Sequence, residues 1–143
     1  MTHTEIVHIA YKWLKKRYPV AFKEFSSLNL EIPDVIGFRS FESAVIEVKV
    51  SRSDFLRDRK KLHKKFSKGM GMFRFYCCPA GLIKIEDLPD NWGLVYVDQK
   101  NKCQLVHNPY NLMGGNIWSN GFDRDIEAEY RLMYSALRKS GNP

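Results

Sequence analysis

Hydrophobic and polar residues follow a pattern over residues 1–78 that predicts a helix, three strands, a second helix and a fourth strand. Apolar residues keep helical spacing over residues 4–17, and Pro19 forbids continuation of that helix. The second helix is predicted from about Ser53 to Phe66, with Ser51 or Ser53 as its N-cap. The four strands are predicted at residues 20–25, 32–38, 43–50 and 72–78.

The rest of the chain predicts a hairpin and a third helix. Residues 93–106 alternate as two strands that turn at 98–102, whereas residues 108–116 are predicted as loop. Helical spacing returns from residue 123 to about residue 138, with Asp123 as the expected N-cap. The full order predicts a single α/β domain over residues 1–143, with a mixed sheet flanked by helices.

Charge and composition narrow the class of partner. The formal net charge is +7 and the isoelectric point is about 9.4, which favours a polyanion, with nucleic acid ahead of an anionic membrane surface. No apolar run approaches the roughly 20 residues of a membrane helix, and the N-terminal segment does not resemble a secretory signal. We therefore expect a cytoplasmic protein that does not associate with membranes.

Cysteine usage predicts a reducing compartment. The chain has three cysteines, an odd number without the spacing of a disulfide framework: Cys77, Cys78 and Cys103. Together with His107 they are a formal candidate for zinc, but adjacent cysteines on a strand point to opposite faces of the sheet. Thiols buried in the core are the preferred interpretation.

Three charges interrupt the apolar pattern of the second and third strands: Asp34, Glu47 and Lys49. If the hairpin turn is centred between Phe41 and Glu42, Asp34 pairs with Lys49, and all three charges share one face of the sheet. A slip of one residue would move Asp34 to the other face from Glu47. The opposite face of the third strand would then be apolar and point into the core, with Ile46, Val48 and Val50.

This arrangement suits the hydrolysis of phosphodiesters. The carboxylates of Asp34 and Glu47, with the carbonyl of Val48, are the hard oxygen ligands that Mg²⁺ prefers, and Mn²⁺ is an alternative. Lys49 would orient or deprotonate the attacking water, or neutralise the charge that develops on the phosphate. The alternative interpretation is an exposed amphipathic strand with solvated charges. The preceding Pro33 and the following basic helix favour a site.

Pro33-Asp34 followed by Glu47-Val48-Lys49 resembles the PD-(D/E)xK signature of the restriction-endonuclease-like nucleases. The resemblance implies an α-β-β-β-α-β core, here followed by an added β-hairpin and a C-terminal helix. It also implies a deoxyribonuclease that uses Mg²⁺ or Mn²⁺, in DNA repair, recombination or phage DNA processing. Members of this superfamily cut branched DNA, duplex ends, tRNA or foreign DNA, and some are inactive. RNA is therefore a second candidate substrate.

Residues 46–60, IEVKVSRSDFLRDRK, are similar to MmcB-like DNA repair proteins and to related small phage or bacterial nuclease-like proteins. In that group an E-V-K strand precedes a helix with the pattern D-F-x-x-D-x-K. The pattern falls here on Asp54, Phe55, Asp58 and Lys60. Many relatives have an aromatic residue next, where this chain has Lys61. The resemblance extends to about residue 97.

Further residues are candidates around this site. The resemblance also implies a third acid from the first helix or first strand. Alternation along residues 20–25 makes Glu24 the main candidate, with Glu5 and Glu31 as alternatives. Ser51 and Asp54 could support the site, cap the helix, or both. Basic residues of the second helix are expected to bind the nucleic-acid backbone: Arg57, Lys60, Lys61, Lys64 and Lys65.

Two other functions stay open. The first is a non-catalytic nucleic-acid-binding module that keeps the fold without turnover. The second is a subunit of a larger repair or phage complex, because 143 residues leave little room for elements that select a substrate. For the same reason, a homodimer or a protein partner is expected.

Overall fold

Six strands form one mixed sheet in the computed structural model, which describes residues 1–23, 32–62, 68–113 and 117–140. For residues 61, 62, 112, 113 and 117 only the backbone is described. The strands are β1 Val20–Lys23, β2 Val35–Arg39, β3 Glu42–Val48, β4 Phe73–Pro79, β5 Gly93–Val97 and β6 Cys103–His107. The helices of the described part are α1 His3–Lys15, α2 Arg52–Leu62 and α3 Ile126–Lys139, with a 3₁₀ turn at Ile85–Asp87.

The order of strands across the sheet is the order along the chain, from β1 to β6. The first three strands form an antiparallel meander, and β5 and β6 form an antiparallel hairpin. In contrast, β3, β4 and β5 run parallel, and α2 forms the crossover between β3 and β4. The predicted mixed α/β class and the order helix, three strands, helix, strand are thus confirmed among the described residues.

One face of the sheet is covered by α1. The buried side of this helix, with Ile6, Ala10 and Leu14, packs against apolar residues of β3 and β4. Close approach depends on Gly37 in β2, where an added Cβ would lie 2.7 Å from the Cβ of Tyr18. The helix and the loop after it can therefore lie directly against the strand.

The other face is covered by α2 and α3. Phe55 of α2 packs with Tyr76, Trp92 and their neighbours, whereas Leu132 of α3 packs over β2 and β3. The buried carboxylate of Glu129 fixes α3 in place. It accepts hydrogen bonds from Ser43 Oγ at 2.7 Å, the Gly71 amide at 2.7 Å and Arg124 Nε at 3.0 Å.

The pairing of β2 with β3 is shifted by two residues from the predicted register. Arg39 pairs with Glu42 across a turn at Ser40 and Phe41, and Val35 pairs with Ile46. The predicted pairing of Asp34 with Lys49 is therefore wrong, and the position before Val35 places Asp34 across from Glu47. A shift of two residues preserves the alternation of side chains, so Glu47 and Lys49 keep their predicted common face. Asp34 precedes the first residue of β2, and its carboxylate contacts His3 of α1, the helix that covers the opposite face.

The turn itself explains this register. Ser40 adopts a left-handed backbone with φ of 52°, which a tight two-residue connection requires. Arg39 forms an ion pair with Glu42 at 3.0 Å. The buried Glu42 carboxylate also accepts a hydrogen bond from the Tyr18 hydroxyl at 3.1 Å.

Two other predictions are corrected near the C-terminus. The N-cap of α3 is Asp125, which accepts a hydrogen bond from the Ala128 amide at 3.0 Å, whereas Asp123 pairs with Lys68 at 3.1 Å. Residues 108–116 are not all loop, because the strand β7 Leu112–Met113 pairs with the strand β8 Ile117–Trp118. The Trp118 ring at the end of this small sheet is buried against the α1 side of the core.

Candidate active site

The start of β2 and the end of β3 bring Asp34 to the backbone of Val48. Asp34 Oδ2 accepts a hydrogen bond from the Val48 amide at 2.7 Å. Continuing the register beyond Val35 and Ile46 places Pro33 opposite Val48. The Asp34 side chain therefore binds the amide at the place where the regular strand pairing stops.

The carbonyl of Val48 points toward β2, as its amide does. Lys49 donates its amide to the carbonyl of Cys77 in β4 at 2.9 Å. Since successive residues of a strand direct their backbone groups to opposite neighbours, the amide and carbonyl of Val48 face β2. Pro33 has no amide hydrogen and cannot donate to that carbonyl. An oxygen atom and a carboxylate thus lie together at this edge of the hairpin.

His3 of α1 is a second contact of Asp34. Its Nε2 atom lies 3.4 Å from Asp34 Oδ2, and both side chains are partly exposed. The first turn of α1 therefore borders the site. No pattern in the sequence pointed to His3, because its position depends on how α1 docks on the sheet.

Glu47 lies on the face of the sheet that α2 and α3 cover. Its Cα is paired with that of Tyr76 in β4, and its side chain is half-buried. Burial raises the pKa of Tyr76 far above its ordinary value, with further contributions from the hydrogen bond and charge of Asp58 and the charge of Glu47. The Tyr76 hydroxyl thus keeps its proton beside two carboxylates.

Lys49 is held by a chain of contacts across three elements. Its Nζ atom lies 3.6 Å from Asp58 Oδ1 of α2, and the Tyr76 hydroxyl donates to Asp58 Oδ2 at 2.7 Å. The Tyr76 ring is buried, stacked on Trp92 with centroids 4.5 Å apart and edge-on to Phe55 at 5.1 Å. A rigid aromatic cluster therefore positions the Asp58 carboxylate, which in turn positions the ammonium of Lys49.

Sequence reasoning missed Asp58 as the partner of Lys49. A usable signal was its spacing from Phe55, because residues three apart lie on the same side of a helix. Phe55 is the buried residue of the α2 pattern, so Asp58 faces the sheet one turn later. The pairing with Lys49 still required the position of α2 over β3 and β4.

Ser51 and Asp54 make their described contacts within the first turn of α2. Ser51 Oγ accepts a hydrogen bond from the Asp54 amide at 3.2 Å, which is the geometry of an N-cap. The Asp54 carboxylate forms an ion pair with Arg57, one turn along the helix. These contacts stabilise the first turn of α2, and the support of the site by Ser51 and Asp54 stays a prediction.

The predicted basic surface is described only in part. Arg57 and Lys60 are exposed on α2. The backbone of Lys61 belongs to α2, and Lys64 and Lys65 lie outside the described residues. Arg52 is a further exposed cation at the start of the helix. It donates to the Leu82 carbonyl at 2.9 Å and to Asp87 at 3.0 Å, which ties α2 to the loop after β4.

Of the three candidates for a third acid, Glu5 is the one that lies among the described residues. Glu24 and Glu31 lie outside the described residues, whereas Glu5 is exposed on the first turn of α1 and accepts a hydrogen bond from the Thr2 hydroxyl at 3.2 Å. No group of three or more histidine, cysteine or acidic side chains in the described part is placed to hold a metal ion. By ligand type, carboxylates and a backbone carbonyl suit Mg²⁺, which keeps several waters and also uses substrate phosphate oxygens.

The cysteines of β4 lie in the core, as predicted. Cys77 is buried beneath α1, and Cys78 is buried on the opposite face with Phe55 and Tyr76. Burial raises the pKa of the Cys78 thiol to about 11. Both thiols therefore stay protonated at neutral pH.

Comparisons with known proteins support the fold alone. A solved structure of a protein of unknown function from Silicibacter pomeroyi is similar to this chain, with a TM-score of 0.67 and 20% sequence identity. The similarity covers 97% of this chain and 88% of that protein. No protein-family model matches the sequence, and no curated protein matches it. Within the described ranges, no helix has the length and apolar character needed to cross a membrane.

Proposed function

We propose that this chain is a PD-(D/E)xK-type nuclease that hydrolyses DNA phosphodiester bonds with Mg²⁺ or Mn²⁺. One observation carries most of the argument: the Asp34 carboxylate is 2.7 Å from the Val48 amide, between Glu47 and Lys49 in the chain. The acid that follows Pro33 thereby meets the E-V-K segment at one edge of the hairpin. DNA repair, recombination or phage DNA processing are the processes in which we expect this activity.

The chemistry is divided between the two strands. Asp34, Glu47 and the carbonyl of Val48 would hold the metal ion. When bound, such an ion lowers the pKa of a coordinated water and offsets the charge on the phosphate. Lys49, whose Nζ atom lies 3.6 Å from Asp58 Oδ1, would orient or deprotonate the attacking water, or neutralise the charge that develops on the phosphate.

The position of α2 supports a path for the nucleic acid. The helix begins three residues after Lys49, so a phosphate backbone that follows its exposed cations would pass the end of β3. Arg57 and Lys60 are exposed on this surface, and helix N-terminal amides also attract phosphate. We expect contacts to the backbone rather than to bases, with binding that weakens as salt rises.

A non-catalytic nucleic-acid-binding module is the second candidate. It is favoured by two specific observations on the site residues: Asp34 already accepts the Val48 amide, and Lys49 is already paired with Asp58. In such a module, the charges of Asp34 and Lys49 would stabilise the fold rather than take part in catalysis. A subunit of a larger repair or phage complex would carry the same features.

Cleavage assays on purified protein test the proposal. The wild type, Asp34→Asn and Lys49→Ala are incubated with labelled single-stranded, duplex, flapped and four-way DNA and with RNA, in Mg²⁺, Mn²⁺ or EDTA. The matched control is Asp123→Asn, an exposed acid near the start of β4, at the other end of the sheet from the site. We expect metal-dependent cutting by the wild type and the control, and its loss in both site variants.

Binding measurements separate the two candidates. Lys60→Glu on α2 should weaken binding and flatten its salt dependence, whereas Lys100→Glu in the turn between β5 and β6 should change little. Salt-sensitive binding without cleavage by the wild type would favour the non-catalytic module. Neither cleavage nor binding, in a folded protein, would overturn both.

A further inference from the structure

The outer face of α3 carries an exposed apolar stripe. Ile126, Tyr130 and Tyr134 recur every four residues and are 65%, 71% and 55% exposed. The other side of the helix is buried, with Leu132 and Ala136 in the core. Residues four apart lie on one side of a helix, so the three exposed side chains form one continuous surface.

The area of this stripe can be estimated from its side chains. Aromatic side chains cover about 150–250 Å² each, so the three residues offer on the order of 400 Å² in each copy. Phe41, in the turn between β2 and β3, is 59% exposed, and its carbonyl accepts a hydrogen bond from Arg124, just before α3. The largest apolar patch on a typical monomer is of about this size and is often functional. Two such patches pressed together would supply about half of a standard interface.

The charged residues beside the stripe would complement those of a second copy of the helix. Glu127 is exposed near the start of α3, where it accepts a hydrogen bond from Arg131 of the same helix at 2.7 Å. Arg138 is exposed near the end of α3, with its guanidinium over the Tyr134 ring. Glu127 and Arg138 are 11 residues apart, which is close to three full turns, so both lie along the same edge of the stripe. If a second α3 lies antiparallel to the first, Glu127 of each copy comes opposite Arg138 of the other. The two helix dipoles also oppose each other in this arrangement.

We propose that α3 is the interface of a homodimer, in which two copies of the helix pack antiparallel across a two-fold axis near Tyr130 and Tyr134. A two-fold interface must be complementary to itself, and both the apolar stripe and its charged edge meet that requirement. The occupant of this face is therefore a second copy of the chain. This proposal is independent of nuclease activity.

Sedimentation velocity at increasing protein concentration measures the association. We expect a dimer for the wild type, and monomers for Tyr130→Ser and Tyr134→Ser at the same concentration. Both tyrosines are exposed in the single chain, so circular dichroism of the two variants should stay that of the folded protein. Ile85→Ser is the matched control, because Ile85 is an exposed apolar residue outside α3, and this variant should remain a dimer.

Charge reversal tests the antiparallel geometry. Glu127→Arg alone and Arg138→Glu alone should each weaken the dimer at least about tenfold, because like charges then face each other. An equimolar mixture of these two variants should associate again, since both contacts across the axis then join opposite charges. Wild-type protein that stays monomeric to millimolar concentration would overturn the proposal. A dimer that survives Tyr130→Ser, or a mixture without rescue, would do the same.

Discussion

The Tyr76 hydroxyl donates a hydrogen bond of 2.7 Å to Asp58, which in turn pairs with Lys49. Replacing Tyr76 with phenylalanine keeps the ring, and therefore its packing against Trp92 and Phe55. Only the bond to the carboxylate is lost. A hydrogen bond to a charged group contributes about 1.5–3 kcal/mol, and water can partly replace it because the Asp58 side chain is 24% exposed. We expect Tyr76→Phe to lower the free energy of unfolding by about 1.5 kcal/mol.

Urea titration of four proteins measures this effect. Asp58→Asn keeps an oxygen that accepts from Tyr76 but removes the charge, so Tyr76→Phe should cost about 1 kcal/mol less in the Asp58→Asn background. Tyr96→Phe is the matched control, because the Tyr96 hydroxyl donates to a neutral acceptor, the Ile83 carbonyl. Its loss should cost about 0.5–1 kcal/mol.

Two results would refute this reasoning. One is a loss below about 0.5 kcal/mol for Tyr76→Phe, which would mean that the hydroxyl does not hold the carboxylate. The other is an equal loss with and without the Asp58 charge. If the chain proves to be a nuclease, a displaced Lys49 should lower kcat in Tyr76→Phe while KM stays close to that of the wild type.

Two further predictions concern the core. Gly37→Ala should lower the free energy of unfolding by about 1–3 kcal/mol, because the new Cβ would lie 2.7 Å from that of Tyr18. The control Gly81→Ala, where the added Cβ meets open space at a φ of 85°, should lower it by only about 1 kcal/mol. Equal losses for the two variants in urea titration would contradict this prediction. Burial raises the pKa of the Cys78 thiol to about 11, whereas it is near 9 in the unfolded chain, so the unfolded state is stabilised as pH rises through that window. Between pH 8 and pH 11 the free energy of unfolding of the wild type should therefore fall by about 2 kcal/mol more than that of Cys78→Ala. Equal losses for the two proteins under reducing conditions would contradict this prediction.

The common face of Glu47 and Lys49 was predictable from the alternation along β3, but the pairing of β2 with β3 was not. Alternation along β2 and β3 sets only whether a residue faces one side or the other, so a shift of two residues leaves the pattern unchanged. The register instead depends on the turn, where Ser40 takes a left-handed backbone and Arg39 pairs with Glu42. Neither preference is visible in the hydrophobic pattern of the strands.

The partners of Lys49 could not be predicted from the sequence, for a different reason. Asp58 and Tyr76 come from α2 and β4, and their meeting depends on the parallel register that places Tyr76 beside Glu47. Residues 73–78 of β4 are all buried, so the strand has no alternation from which a register could be read. The basic character of α2 was visible, whereas its orientation over the sheet was not.

The agreement between strand order and chain order has a consequence for folding kinetics. Each strand of the sheet pairs with the strand before or after it in the chain, so no pairing has to wait for a distant segment. The longest connection between paired strands is the crossover from β3 to β4 through α2. Because the entropy cost of closing a loop grows with its length, this pairing is the slowest to nucleate. The contact of Asp34 with Val48 joins β2 to β3 and does not need this crossover, whereas the contacts that hold Lys49 do, because Asp58 and Tyr76 come from α2 and β4.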